Sequence, residues 1–184
     1  GLHSQVIPAY ITLSQMQDTA GNYYLHNKEL QFTNSHHVVA GYQRFIGKYA
    51  TLKVELYYQH LFDVPVDTFP SSFSLVNQGS TFSRFFPGYL VNEGTADNMG
   101  GEITYEKGFA NDWYMMVNGA IYKAVYSGSD GVERHSDFDG SFGTNLLIGK
   151  EFKTGKQKNT VITTALKSTY AGGKRFTPAD TAAS

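Results

Sequence analysis

Short and long connections alternate along this chain, and few folds accommodate such a rhythm. Gly47-Lys48-Tyr49-Ala50, Gly108-Phe109-Ala110-Asn111-Asp112 and Thr154-Gly155-Lys156-Gln157-Lys158 are tight polar turns. Thr68 to Glu93 and Gly128 to Gly140 are long loops. In an up-and-down sheet this order puts the tight turns at one end and the long loops at the other. A soluble β-sandwich needs no such asymmetry. Bacterial membrane barrels have it, with short periplasmic turns and longer extracellular loops.

The segments between these connections alternate as strands do. Thr51 to Phe62 is the clearest: Leu52, Val54, Leu56 and Tyr58 share one face, and Lys53, Glu55, Tyr57 and Gln59 the other. Between about Asn98 and Lys107, Ile103 and Tyr105 oppose Glu102, Thr104 and Glu106. Phe142 to Phe152 sets Phe142, Thr144, Leu146 and Ile148 against Gly143, Asn145, Leu147 and Gly149. Val161 to Tyr170 places Ile162, Leu166 and Tyr170 opposite Lys167. Trp113 to Tyr126 exceeds the usual soluble strand of about 5 or 6 residues and is long enough to span hydrocarbon at a tilt. Its parity stays open, because Lys123 falls with Met115, Val117 and Ile121. Leu2 to Leu13 reads as the end of a strand, Gln15 to Ser35 as a loop, and His37 to Ile46 as a strand. The loop after Phe62 holds Pro65, Pro70 and Pro87, which argues against a strand interior there.

The expected fold is therefore all-β: an antiparallel up-and-down meander of about seven strands. Bacterial single-chain barrels have even strand counts. Seven strands, beginning and ending in mid-pattern, are expected to be a segment of a larger transmembrane barrel, with residues 1–184 one partial domain cut at both ends. Aromatic rings support a membrane wall. Trp113 and Tyr114 follow a short turn, and Tyr122 and Tyr126 sit near the long-loop end, as interfacial girdles would require. Tyr and Phe number 13 each in 184 residues and charged residues make only 17%, a composition suited to strands rather than helices. No apolar run reaches the roughly 18 residues of a membrane helix, but barrel strands carry only about 10 alternating residues each. A net charge of -1 gives no reason to expect nucleic acid. With no cysteine, there is neither a disulfide framework nor a thiolate metal site.

Chemical motifs are weak. Gly143 to Lys150 has P-loop character, but its spacing is wrong by one residue and Glu151 replaces the required Ser or Thr. His36 and His37 are adjacent, so on a strand they face opposite ways and cannot chelate together. Asp130, Glu133, His135, Asp137 and Asp139 crowd one loop without the EF-hand pattern, and are expected to be a solvated loop. There is no nucleophile elbow, and carboxylates such as Glu102 and Glu106 are expected to line a wet surface rather than act as an acid/base pair. No metal, cofactor or enzymatic activity is expected. The strand residues Glu55, Tyr57, Gln59, Glu102, Thr104 and Glu106 are the candidates for a lumen, in contact with water, plug or ligand.

Several stretches together resemble the barrel of a TonB-dependent outer-membrane receptor of the Bacteroidetes type, which carries a carboxypeptidase-regulatory-like N-terminal domain. They are Gly1-Leu2-His3-Ser4-Gln5, Leu56 to Val66, Pro70 to Asn77, Leu90-Val91-Asn92-Glu93-Gly94 with Gly101-Glu102, Gly128 to Arg134, Gly149-Lys150-Glu151-Phe152 and Thr169 to Pro178. In Asn92-x-Gly94, Gly94 is expected to relax the backbone at a loop exit, with Gly100 and Gly101 allowing a bend or close approach. The resemblance implies a Gram-negative outer-membrane protein that takes part in energised nutrient uptake. The partners it implies are outer-membrane lipid, a plug domain, the TonB complex, an unidentified nutrient and a surface lipoprotein. The chain shows no plug, TonB box or terminal aromatic strand, and about 22 strands close such a barrel, so the chain alone is not expected to transport. A cut barrel is also expected to self-associate through its strand edges. The alternative is a self-contained small β-barrel or sandwich that binds an apolar ligand.

Overall fold

Alternation at period two over long stretches, broken by Gly, Asn and Asp, dictates strands joined by turns, and the chain folds that way. The computed structural model describes residues 1–79, 87–157 and 159–173. A short strand β1 (Leu2–Gln5) leads into helix α1 (Ala9–Thr12) and a small hairpin, β2 (Gln15–Gln17) and β3 (Tyr23–Leu25). The long strands follow: β4 (Thr33–Ile46), β5 (Ala50–Asp67), β6 (Leu90–Ala110) and β7 (Trp113–Ser127). After the short β8 (Glu133–His135) come β9 (Phe142–Thr154) and β10 (Thr160–Ala171). A 3-10 turn, Leu75–Asn77, lies between β5 and β6. The main sheet runs in the order β1-β4-β5-β6-β7-β9-β10, with β8 attached beside β7, and its pairs are antiparallel. The chain is thus an all-β meander. Among the described residues no helix is long and apolar enough to cross a membrane, which says nothing of strands.

The six long strands run from 12 to 21 residues, well beyond the usual strand of about 5 or 6. Their short connections share one end of the sheet. The β6–β7 turn is tighter than the sequence suggests. Ala110 pairs with Trp113, leaving only Asn111 and Asp112, at φ 56° and 65°. Both central residues at positive φ make the type I′ geometry that matches strand twist, and Asn and Asp tolerate it. Gly108 and Phe109, expected in that turn, instead form a bulge in β6, where Gly108 N–H donates to Tyr49 O. The third turn is described except for Lys158.

Three other expectations need correction. Val6 to Leu13 is not strand: Pro8 opens α1, and Ile7 and Ile11, spaced as a helix spaces them, are buried together with Leu90. The segment expected as a loop after Gln15 holds the β2–β3 hairpin, and β4 begins at Thr33. Pro65 lies inside β5, fully buried, where the register shifts twice against β6. A bulge is one of the few places in a sheet that accepts proline, since the ladder is already broken there. Residues 174–184, which include the end of the Thr169 to Pro178 stretch, lie outside the described residues.

The long connections knit into a cap at the other end. Ser129 Oγ donates to Phe69 O at 2.5 Å and accepts from Ser71 N at 3.0 Å. Asn77 Oδ1 accepts from Ser136 Oγ at 3.0 Å and from Asp137 N at 2.8 Å. Asn27 is buried, donating to Gly88 O at 2.8 Å and accepting from Leu90 N at 3.0 Å. These side chains satisfy backbone groups that no sheet ladder reaches.

Candidate functional site

Cross-strand partners share a face, so the register sorts the sheet into two surfaces. One row runs Val38, Tyr58, Met99, Lys123. The next runs Ala40, Leu56, Gly101, Ile121, Phe142, and the next Tyr42, Val54, Ile103, Gly119, Thr144, Tyr170. Leu52, Tyr105, Val117 and Leu146 follow, then Met115, Ile148 and Leu166. This face is apolar over its middle and is open: Val38 is 64% exposed, Leu56 60% and Ile121 71%. A surface this wide is larger than the patches that monomeric soluble proteins leave uncovered.

The opposite face is polar and carries all six candidate residues. Glu55 sits directly across from Glu102, Thr104 across from Lys53, Glu106 across from Thr51, Gln59 across from Asn98, and Tyr57 across from Gly100. Facing carboxylates repel. Here Lys53 Nζ lies 2.5 Å from Glu55 Oε2, and Asn118 Nδ2 donates to Glu102 Oε1 at 2.7 Å. Asn118 also donates to Thr104 Oγ1 at 2.9 Å, and Thr104 donates to Glu102 at 3.2 Å. Higher up, Asn98 donates to Gln59 at 3.1 Å, and Gln59 to Ser35 Oγ at 3.3 Å. The chemistry is a lattice of donors and acceptors facing water. Val39, Phe45, Met116, Leu147 and Val161 interrupt it with apolar side chains. Asn118, Asn98 and Ser35 were not foreseen as members. Asn118 is hidden in the sequence because Lys123 obscures the parity of β7.

The register settles that parity. Met115, Val117, Ile121 and Lys123 belong to the apolar face with Trp113, while Tyr114, Asn118, Tyr122 and Tyr126 belong to the polar one. Tyr122 and Tyr126 therefore form no outer girdle. Tyr122 pairs across from Gly100, and Tyr126, buried, pairs across from Ala96. Two tyrosines of this face crowd the glycines beside them. A Cβ on Gly100 would fall 2.7 Å from Tyr57 Oη and 2.7 Å from Ile121 O, and a Cβ on Gly149 would meet the Tyr114 ring. Gly100 thus permits close approach, as expected. Gly94 does so as well, since its Cβ would meet Val66 Cγ1 and Val64, so it makes room for a bulge rather than loosening a loop. Asn92 beside it donates to Asp63 O at 2.7 Å and to Gln31 O at 3.0 Å, and accepts from Gln31 N at 2.9 Å.

The polar face ends under the cap. A cavity of about 470 Å³ opens there between α1, the 3-10 turn, the Ser136–Phe138 loop and the sheet residues Leu61, Ala96 and Asn98. Where the apolar face ends at the same level, polar groups gather. Asp97 accepts from Tyr58 Oη at 2.6 Å and lies 2.9 Å from His60 Nδ1, and Lys123 Nζ is 3.3 Å from Glu133 Oε1. His36 shares that face and His37 the other, as alternation requires. In the acidic loop, Asp130 is bonded twice by Arg134 at 2.6 and 2.9 Å, and the guanidinium holds its carboxyl down at about 2. His135 Nδ1 lies 2.5 Å from the buried Asp139. Among the described residues no group of three or more His, Asp or Glu side chains is placed to hold a metal ion. No family model, no curated protein and no solved structure matches the chain.

Proposed function

We propose that this chain is a section of the wall of a Gram-negative outer-membrane barrel, belonging to a TonB-dependent nutrient receptor. The observation that carries the membrane part is the sidedness of the sheet: one face apolar and open across six long strands, the other hydrogen-bonded and wet. The dimensions agree. From Trp113 to Lys123 a strand rises about 33 Å at roughly 3.3 Å per residue. Tilted by about 40°, that is about 25 Å along the normal, the height of a barrel's outer apolar band. The outer edge of β10 and most of the outer edge of β4 lack partners among the described residues. In lipid each unpaired backbone group costs several kcal/mol, which favours further strands beyond both edges. The receptor part rests on the resemblance alone. In this reading the wall is not an enzyme, the nutrient is unidentified, and plug, TonB complex and surface lipoprotein meet other parts of the receptor.

The rival, a small barrel or sandwich around an apolar ligand, draws on the cavity under the cap. It requires the wide apolar face to be buried, and that face is open.

Single cysteines placed in this cysteine-free stretch make the topology testable. In intact cells, Val132→Cys in a long loop should react with a membrane-impermeant maleimide. Lys156→Cys in a short turn should react only after the outer membrane is permeabilised. Equal labelling of both in intact cells removes the barrel reading. Loss of an energised uptake activity in a deletion strain tests the receptor reading, and its retention for every nutrient tried counts against it.

A further inference from the structure

The two borders of the apolar face differ in charge. At the long-loop border the charged groups are mixed: Asp97 beside His60, and Lys123 bonded to Glu133. At the short-turn border they are cations. Arg44 falls in the row of Leu52, Lys107 in the row of Ala50 and Met115, and Lys150 in the row of Trp113, all on the apolar face. Lys48 adds a fourth in the adjacent turn. Glu106 and Glu151 lie at this level but on the polar face, and Asp112 in its turn is bonded to Lys153 at 2.7 Å. Among the described residues Arg44, Lys48 and Lys150 have no carboxylate partner.

These cations alternate with rings. Lys48 Nζ lies 5.5 Å from the centroid of Tyr49, Lys107 Nζ 3.9 Å from Trp113, and Lys150 Nζ 5.1 Å from Phe152. An aromatic ring and a long cation side by side suit the layer where hydrocarbon gives way to headgroups, the ring sinking into the apolar side and the ammonium reaching outward. Lys107 is partly committed, donating to Ala110 O at 2.7 Å and Trp113 O at 2.8 Å. Arg44, Lys48 and Lys150 are available to anions.

We propose that this collar binds the phosphates of anionic phospholipid headgroups in the leaflet at the short-turn end, and so fixes the depth and orientation of the wall. The inference rests on the apolar face lying in lipid. A cation near an anionic surface favours binding roughly fivefold, so three of them contribute on the order of a hundredfold.

The test takes the chain within its complete barrel, folds it into vesicles of phosphatidylcholine, with and without phosphatidylglycerol, and measures partitioning in low salt. Wild type should prefer the anionic vesicles. R44Q/K48Q/K150Q should lose most of that preference, whereas K123Q at the other border should keep it. Strand circular dichroism of each variant confirms folding. A triple variant that folds and still prefers phosphatidylglycerol as wild type does overturns the collar. So does inorganic phosphate that abolishes the preference where chloride of equal ionic strength does not, because the site then takes free phosphate. A chain that enters neither vesicle overturns the membrane reading itself; one that enters both equally overturns only the collar.

Discussion

Two glycines on the polar face differ in what stands over them, and that difference gives a sharp stability test. The three atoms nearest an ideal Cβ on Gly149 all belong to the Tyr114 side chain, whereas a Cβ on Gly100 would fall 2.7–2.8 Å from the Tyr57 phenol and also 2.7 Å from the backbone oxygen of Ile121. A ring can rotate away at the cost of its contact, but a carbonyl in a paired strand cannot. Overfilling a packed site costs about 1–3 kcal/mol. Gly149→Ala should fall near the lower end of that range and Gly100→Ala near the upper. Neither glycine has positive φ, so backbone strain does not enter. In a double-mutant cycle, Tyr114→Ala should absorb nearly all the cost of Gly149→Ala, with a coupling of about 1 kcal/mol. Tyr57→Ala should absorb only part of the cost of Gly100→Ala, because the Ile121 carbonyl remains. Urea unfolding in detergent, followed by the fluorescence of the single Trp113, measures all six variants. Equal costs of Gly149→Ala with and without Tyr114 would refute the ring-over-glycine packing.

Three further outcomes follow from the loops and edges. Asn92→Ala removes two hydrogen bonds to the Gln31 backbone and one to Asp63 O beside the β5 bulge; it should cost about 1–3 kcal/mol, and hydrogen exchange should speed up at Gln31 while β9 is unaffected. Asp130 has a depressed folded-state pKa of about 2 against an ordinary 3.8. Its bond to Arg134 therefore stabilises the loop above about pH 4 and is lost as pH falls through about 2. Asp130→Asn should abolish that acid step in the amide spectrum of Val132, and an unchanged step would mean that another group is responsible. The open edges of β4 and β10 should make the isolated chain associate in detergent-free buffer; a clean monomer by light scattering would count against exposed edges.

Where alternation is long and clean, the sequence is enough to place a strand and assign its faces. Leu52 to Tyr58 and Phe142 to Ile148 lie as their period dictates, because a one-residue slip would turn every side chain to the wrong solvent. The shared face of Glu55, Tyr57, Gln59, Glu102, Thr104 and Glu106 was legible for the same reason. Legibility failed where a local rule met a tertiary exception. Pro65 argued against a strand, yet a bulge removed the objection. Tyr122 and Tyr126 had the composition of a girdle, but register against Gly100 and Ala96 puts them on the polar face. Ile7 and Ile11 gave too short a helical signal to stand out, and their burial depends on Leu90, far along the chain. The clamps of Asn27 and Asn92 reach across some sixty residues, a distance at which no sequence pattern operates.

The central claim is that one face of this wall lies against lipid, and β7 is the strand on which to measure it. In a Trp113→Phe background, single tryptophans placed by Met115→Trp, Met116→Trp, Val117→Trp and Asn118→Trp are exposed to brominated lipid. Strong quenching should appear for Met115→Trp and Val117→Trp and weak quenching for Met116→Trp and Asn118→Trp. Uniform quenching, or the opposite alternation, would contradict the assignment of the apolar face to the membrane.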